Sequence, residues 1–178
     1  MFELDTLFEF VLRTFKGVTI WLVIGLSLDA SAAEYTGTVV GVTDGDTLKV
    51  MHDGVVTKTR LAEIDCPEKT QAFGVQATKF TTDIILGKDV RVVEVDTDRY
   101  GRTVALTFIP DGKCLNEELV RKGYAWCYTK YCKDARIFQM EQQARDQHVG
   151  LWDEAAPVEP AKFRLAQRGR HKLHRCAK

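Results

Sequence analysis

The chain has 178 residues, 45% of them hydrophobic, and its 25 Lys/Arg are balanced by 25 Asp/Glu, which fits one globular domain with extensions. The neutral total hides a division: residues 33–155 hold 16 Lys/Arg against 20 Asp/Glu, a net of −4, while residues 156–178 hold seven Lys/Arg against one Glu, a net of +6. A strongly basic nucleic-acid-binding body is thereby excluded, and any grip on phosphate falls to local arginines or to the tail.

The N-terminus reads as an export signal. Val18 to Leu28 is an eleven-residue apolar run, preceded by Arg13 and Lys16 and followed by Ala30-Ser31-Ala32, a small-x-small cleavage site. A membrane span needs about 20 apolar residues, so an uncleaved anchor is the poorer reading. Glu3, Asp5 and Glu9 give the leading segment the wrong charge, and initiation at Val11 would leave an ordinary short basic one. Residues 1–32 are therefore expected to be a signal peptide, with Ala33 as the mature N-terminus. The expected location is periplasmic or secreted, with no stable membrane association after cleavage and a monomeric state.

Beyond the signal, Tyr35–Val50 and Val55–Ile64 are β-rich, with turns at Asp44-Gly45 and Asp53-Gly54. A helix is predicted from about Thr70 to Leu86, where Phe73, Ala77, Phe80 and Ile84 share a face and Gly87 ends the run. Val90–Val95 and Val104–Phe108 read as strands around a turn at Asp96–Gly101. Short and longer helices are predicted over Leu115–Lys122, ended by Gly123, and over Asp134–Val149, with Gly150 as the cap. Strands first, a helix among them and helices last describe a small β-barrel with packed helices, of the OB or the SH3-like kind. From Pro157 on there is no apolar periodicity, only basic residues, so 156–178 reads as a disordered or loosely attached tail. Its charge would raise encounter with polyanions; the alternative is a tail that packs on the barrel or serves only as a solubility extension.

Five cysteines follow the cleavage point, so at least one is unpaired within a monomer. Cys127 and Cys132 are near enough to bridge a bend; the alternative is that most are small buried hydrophobes. His171, His174 and Cys176 have ligand chemistry but lie in a tail with nothing to hold them. Trp126 and Trp152 read as core, and Asn116 as a structural hydrogen-bonding residue.

The densest chemistry lies between Asp44 and Glu68: Asp44-Gly45-Asp46-Thr47, then Arg60, then Asp65-Cys66-Pro67-Glu68. Clustered hard oxygen donors beside a forked cation suit a divalent metal and a phosphate together. Those motifs, with Asp98-Arg99-Tyr100-Gly101-Arg102, Leu115-Asn116-Glu117-Glu118-Leu119 and Gly150-Leu151-Trp152, resemble the staphylococcal nuclease family in order and spacing, over about Tyr35 to Trp152. The resemblance implies a five-stranded OB-fold nuclease domain over 33–155. It also implies Ca²⁺-dependent hydrolysis of DNA and RNA phosphodiesters with low sequence specificity, leaving 3′-phosphate ends.

By that resemblance, Asp46, Asp65 and the backbone carbonyl of Cys66 would hold Ca²⁺. Arg60 and Arg102 would contact the phosphate, and Glu68 would act as general base. The family usually has Thr where Cys66 stands, and a Cys there has no nearby histidine to activate it as a nucleophile. Asp44 would join the outer metal shell or cap its turn. Thr47, Tyr100, Tyr128 and Tyr131 are substrate-binding candidates, with turn capping or packing as the alternatives. The rival functional reading is an inactive domain of the same fold that binds nucleic acid or protein; it predicts losses among the acidic and arginine positions, and all of them are present here.

Overall fold

The computed structural model describes residues 33–176, with side chains through residue 169. The expected signal segment, the Val11 start and the cleavage after Ala32 lie outside the described residues, as do the side chains of His171, His174 and Cys176.

The strands, in chain order, are β1 (Glu34–Asp44), β2 (Thr47–His52), β3 (Val55–Leu61), β4 (Ile64–Asp65), β5 (Asp89–Thr97), β6 (Thr103–Phe108) and β7 (Trp126–Cys127). Five of them close into a barrel in the order β1-β2-β3-β6-β5, with β5 returning to β1. The β3–β6 pair is parallel and the others are antiparallel. This is the expected OB-type barrel of an α+β protein. β1 bends far enough to pair on both sides because its register shifts twice, between Val39 and Gly41 and between Val42 and Asp44. Those bulges are why hydrophobic alternation along it is imperfect. Val39, Leu48, Val50, Leu61, Val90 and Val92 fill the interior.

Helix α1 (Gly74–Ile85) packs on β1, α2 (Leu115–Arg121) on β6, and α3 (Ala135–Asp146) on α2. Helix α1 starts four residues later than predicted. Thr70 to Ala72 form a turn, and Phe73 takes a left-handed conformation at φ 61°. The covered positions are Gly74, Ala77, Thr81 and Ile85, with Phe80 and Ile84 partly buried, so the face is rotated from the one the periodicity suggested. Helix α2 ends one residue short of the prediction, before Gly123 at φ 65°. Helix α3 stops at Asp146 rather than Val149. Asp134 caps its start by accepting the Arg136 amide at 2.8 Å, and Gly150 opens a 3-10 turn (Gly150–Asp153) instead of capping the helix.

Asn116 is structural, as expected: its buried amide accepts from Thr107 N and donates to the carbonyls of Ala62 and Ala105. Trp152 is core. Trp126 is only partly buried, with its ring edge-on to Trp152 at 4.5 Å and the Arg145 guanidinium beside both.

The tail corrects the sequence reading most. Instead of being disordered, it forms α4 (Pro160–Cys176). Pro160, Ala161, Phe163, Arg164 and Gln167 are covered, while Lys162, Leu165, Ala166 and Arg168 are exposed. The covered positions fall at helical spacing, but they include only two large apolar groups, so the amphipathic pattern is too sparse to stand out in a stretch of basic residues. Among the described residues, no helix is long and apolar enough to cross a membrane.

Candidate active site

Asp46 lies in the turn between β1 and β2 and Asp65 in β4, and a glycine brings them together. A Cβ on Gly45 would sit 2.9 Å from the Cβ and Sγ of Cys66 and 3.0 Å from the Cβ of Ala77. Only glycine lets the Asp44–Thr47 turn press against the Asp65-Cys66 segment and α1. The buried Thr81 hydroxyl donates to the Gly45 carbonyl at 2.7 Å, and Leu61 N donates to the Asp46 carbonyl at 2.9 Å. Asp44 accepts the Asp46 amide at 3.3 Å, which is the turn-capping role.

Asp65 is 1% exposed and Asp46 5%. One guanidinium joins them: Arg60 Nη1 is 2.9 Å from Asp46 Oδ2, and Nη2 is 2.8 Å from Asp65 Oδ1. Arg60 faces Thr47 across the β2–β3 ladder, which fixes its entry into the cluster. The Cys66 amide donates to Asp46 Oδ2 at 2.6 Å, and the Thr47 hydroxyl to Asp46 Oδ1 at 3.2 Å. Thr47 is itself buried, so the structure sets it behind the carboxylate, where it orients Asp46, and not on a surface that a nucleotide would touch.

Burial pushes the Asp46 carboxyl up to about 8, with Asp44 and Asp65 adding to the rise while Arg60 and the Cys66 amide oppose it. Burial works against the Arg60 charge as well, but Asp46 and Asp65 outweigh it and hold the guanidinium above its ordinary value. Burial also raises the Cys66 thiol well above normal, which leaves it a neutral apolar group and no nucleophile.

The remaining predicted residues lie outside this cluster. Gly74 lies so close to the Glu68 carbonyl that a Cβ would stand 1.8 Å from the oxygen, so the start of α1 sets the backbone that carries Glu68. Arg102 precedes β6, whose Val104 is the register partner of Arg60, but Arg102 is not on the carboxylate cluster. Asp98 holds it instead, at 2.7 Å from both Nε and Nη2, and accepts the Tyr100 and Arg102 amides at 2.9 and 3.0 Å. Tyr100 projects from the same turn, 65% exposed, with Arg99 bonded to its hydroxyl.

The β4–β7 pairing sets Trp126 opposite Asp65, and the next loop carries Tyr128 and Tyr131 with their rings edge-on at 4.9 Å. A Cys127–Cys132 disulfide closes that loop, so the bridging alternative is the observed one; Cys66 and Cys114 are free and buried. Glu141 secures it from below, accepting Cys127 N at 2.6 Å.

Two functional side chains carried no assigned role in the sequence reading. Asp98 positions Arg102; its signal was an Asp two residues before Tyr100 and four before Arg102, the geometry of an Asx turn. The other is Arg164, on α4. Its Nη2 is 2.7 Å from Asp65 Oδ2, and its Nη1 is 3.2 Å from Asp65 Oδ1 and 2.8 Å from Glu68 Oε1. Burial opposes this charge too, and the bonds from Asp65 and Glu68 raise the guanidinium above its ordinary value. The one signal for Arg164 was Pro160, well placed to open a helix.

The donor set fits a hard divalent cation: carboxylate oxygens, no neighbouring histidine and a protonated thiol. Among the described residues, no three His, Cys, Asp or Glu side chains stand together as a ready metal cage. The fit is therefore to Asp46 and Asp65, with carbonyl oxygens and water completing the shell.

Comparison with known proteins agrees with this geometry. Residues 58–154 match the family model described as staphylococcal nuclease homologue. The chain is 41% identical over 128 residues to an "uncharacterized endonuclease" of Escherichia coli O157:H7, covering 72% of this chain and 84% of the relative. A "micrococcal nuclease" of Shigella flexneri is 38% identical over 146 residues, covering 76% and 84%. An "uncharacterized endonuclease" of Haemophilus influenzae is 38% identical over 139 residues, covering 78% of each chain.

Proposed function

The chain belongs to the staphylococcal nuclease family, and from that premise we propose that it is an exported, Ca²⁺-dependent nuclease of low sequence specificity. Its substrates are DNA and RNA phosphodiesters, its products carry 3′-phosphate ends, and it acts as a monomer. The observation that carries the reading is the pair of buried carboxylates, Asp46 and Asp65, bridged by Arg60, with Glu68 beside them on the next turn. Relatives named as endonucleases and as a micrococcal nuclease support the same reaction class.

Attack of water on a phosphodiester builds negative charge on the phosphoryl oxygens, so the site must orient the water and stabilise that charge. Asp46, Asp65 and the Cys66 carbonyl would hold Ca²⁺, which when bound supplies Lewis-acid stabilisation of the phosphoryl oxygens. Arg60 spans both carboxylates and so keeps the ligand pair in one orientation. Its planar fork also presents fixed donors where phosphate charge develops. Glu68, half-exposed at the rim, takes the proton of the attacking water. Arg102, aimed by Asp98, binds a phosphoryl oxygen from the β6 side, and Tyr100, Tyr128 and Tyr131 offer ring faces and hydroxyls to the nucleotide.

A disulfide in the folded chain suits a periplasmic or secreted protein, because cytosolic thiols are kept reduced. The decisive experiment is plasmid and RNA digestion by the purified mature chain with Ca²⁺, with chelator, and with Glu68→Gln. Ca²⁺-dependent degradation that chelator stops and Glu68→Gln reduces supports the proposal. No degradation by a folded, Ca²⁺-supplied protein would overturn it in favour of an inactive binding domain.

A further inference from the structure

A basic side chain from outside the family-matched residues occupies two of the three carboxylates on which the chemistry depends. Helix α4 begins at Pro160, beyond the match that ends at residue 154. Its Arg164 grips both oxygens of Asp65 and one of Glu68. Asp65 is thus taken at its outer face by Arg164 and at Oδ1 by Arg60, and the carboxylate expected to hold metal is fully engaged by nitrogen donors.

The contact is built, not a lone surface pair. The segment leading into α4 lies over a cavity of about 170 Å³ lined by Pro67, Trp126, Leu151, Val158 and Phe163, among others. Gln71 donates a hydrogen bond to the Val158 carbonyl and accepts the Glu68 amide at 3.2 Å. The polypeptide that carries Glu68 is therefore the polypeptide on which the tail rests.

Two functions conflict at this contact. A divalent cation on Asp65 and a guanidinium on the same carboxylate repel one another and compete for the same lone pairs.

We propose that α4 is an autoinhibitory latch, with Arg164 the resident cation that a divalent metal ion must displace. The latch rests on the Ca²⁺ reading above and adds a regulatory step to it. Closed, it neutralises Asp65 and Glu68 and covers the catalytic rim. Open, it frees both carboxylates and withdraws α4 from the body. Lys162 and Arg168 face outward from the closed helix, so a polyanionic substrate is positioned to draw the latch away as metal enters.

The test is calorimetric titration of Ca²⁺ into the mature chain and into Arg164→Ala, with amide hydrogen exchange over α4. The variant should bind Ca²⁺ about tenfold or more tightly, as expected when a competing charge-assisted contact is removed. In the unmodified chain, amides of residues 161–169 should be protected in chelator and exchange at least tenfold faster in saturating Ca²⁺, because an undocked helix of this length frays. The exchange measurement needs no variant, so it stands even if Arg164→Ala misfolds. Equal or weaker Ca²⁺ binding by a folded Arg164→Ala, or α4 protection unchanged by Ca²⁺, would overturn the latch alone. Absence of Ca²⁺ binding in both chains would overturn the latch together with the metal reading beneath it.

Discussion

Asp46 is held by Arg60, the Cys66 amide and the Thr47 hydroxyl while being crowded by Asp44 and Asp65. Asp46→Asn keeps an acceptor for the Cys66 amide and leaves Arg60 paired to Asp65. It should abolish Ca²⁺-stimulated cleavage while shifting unfolding by less than about 1 kcal/mol, measured by circular dichroism in chelator; near-parental digestion in Ca²⁺ would refute the assignment. Arg60→Lys keeps the charge, but one ammonium cannot reproduce two nitrogens bonded to two different carboxylates. Loss of such preorganised electrostatics is worth about 3–4 kcal/mol, or roughly two to three decades of rate. A change below fivefold in turnover would reduce Arg60 to a bystander.

At the scale of elements, the site depends on contacts that hold short segments to the barrel. Asn116 stitches β6, the residue after β3 and α2 together from a fully buried position. Asn116→Ala leaves a buried amide and a buried carbonyl without partners, so urea unfolding should show a loss of about 3 kcal/mol. The Cys127–Cys132 bridge closes a small loop beside β4 and Asp65. Chain-entropy arguments give a loop of this size about 2 kcal/mol. Cys132→Ser should therefore lower stability by about that amount, with a larger effect on substrate affinity than on turnover if Tyr128 and Tyr131 bind nucleotide. An unchanged unfolding midpoint would show that Glu141 and the β4–β7 pair hold the loop without it.

Across the whole molecule, charge is segregated: a body of net −4 carries a tail segment of net +6. Lys162 and Arg168 are exposed even with α4 docked, so they remain available to phosphate while Arg164 is not. Replacing both by Gln should flatten the salt dependence of duplex DNA binding. Every phosphate that these cations no longer neutralise takes about 0.9 off the steepness of log K against log salt. Fluorescence anisotropy in chelator reads this directly, and an unchanged slope would mean that the two side chains neutralise no phosphate.

The sequence by itself determined the barrel class, the two turns and strands that carry Asp46, Arg60 and Asp65, the second and third helices to within a few residues, and the family. These are properties of local patterning: turn dipeptides, alternation, capping glycines and motif spacing act over a few residues and are legible wherever the chain is read. The tertiary structure alone decided the rest. Gly45 reads as a turn former, yet it must be glycine because Cys66 and Ala77, distant in sequence, press on it. The face of α1 turns because it answers to groups brought near by folding. Above all, Arg164 lies 96 residues from Glu68 along the chain, in a stretch whose composition reads as solvated charge. Its helix forms against the body through one cation and a few apolar residues, and a contact between charges so far apart leaves no period in the sequence to betray it.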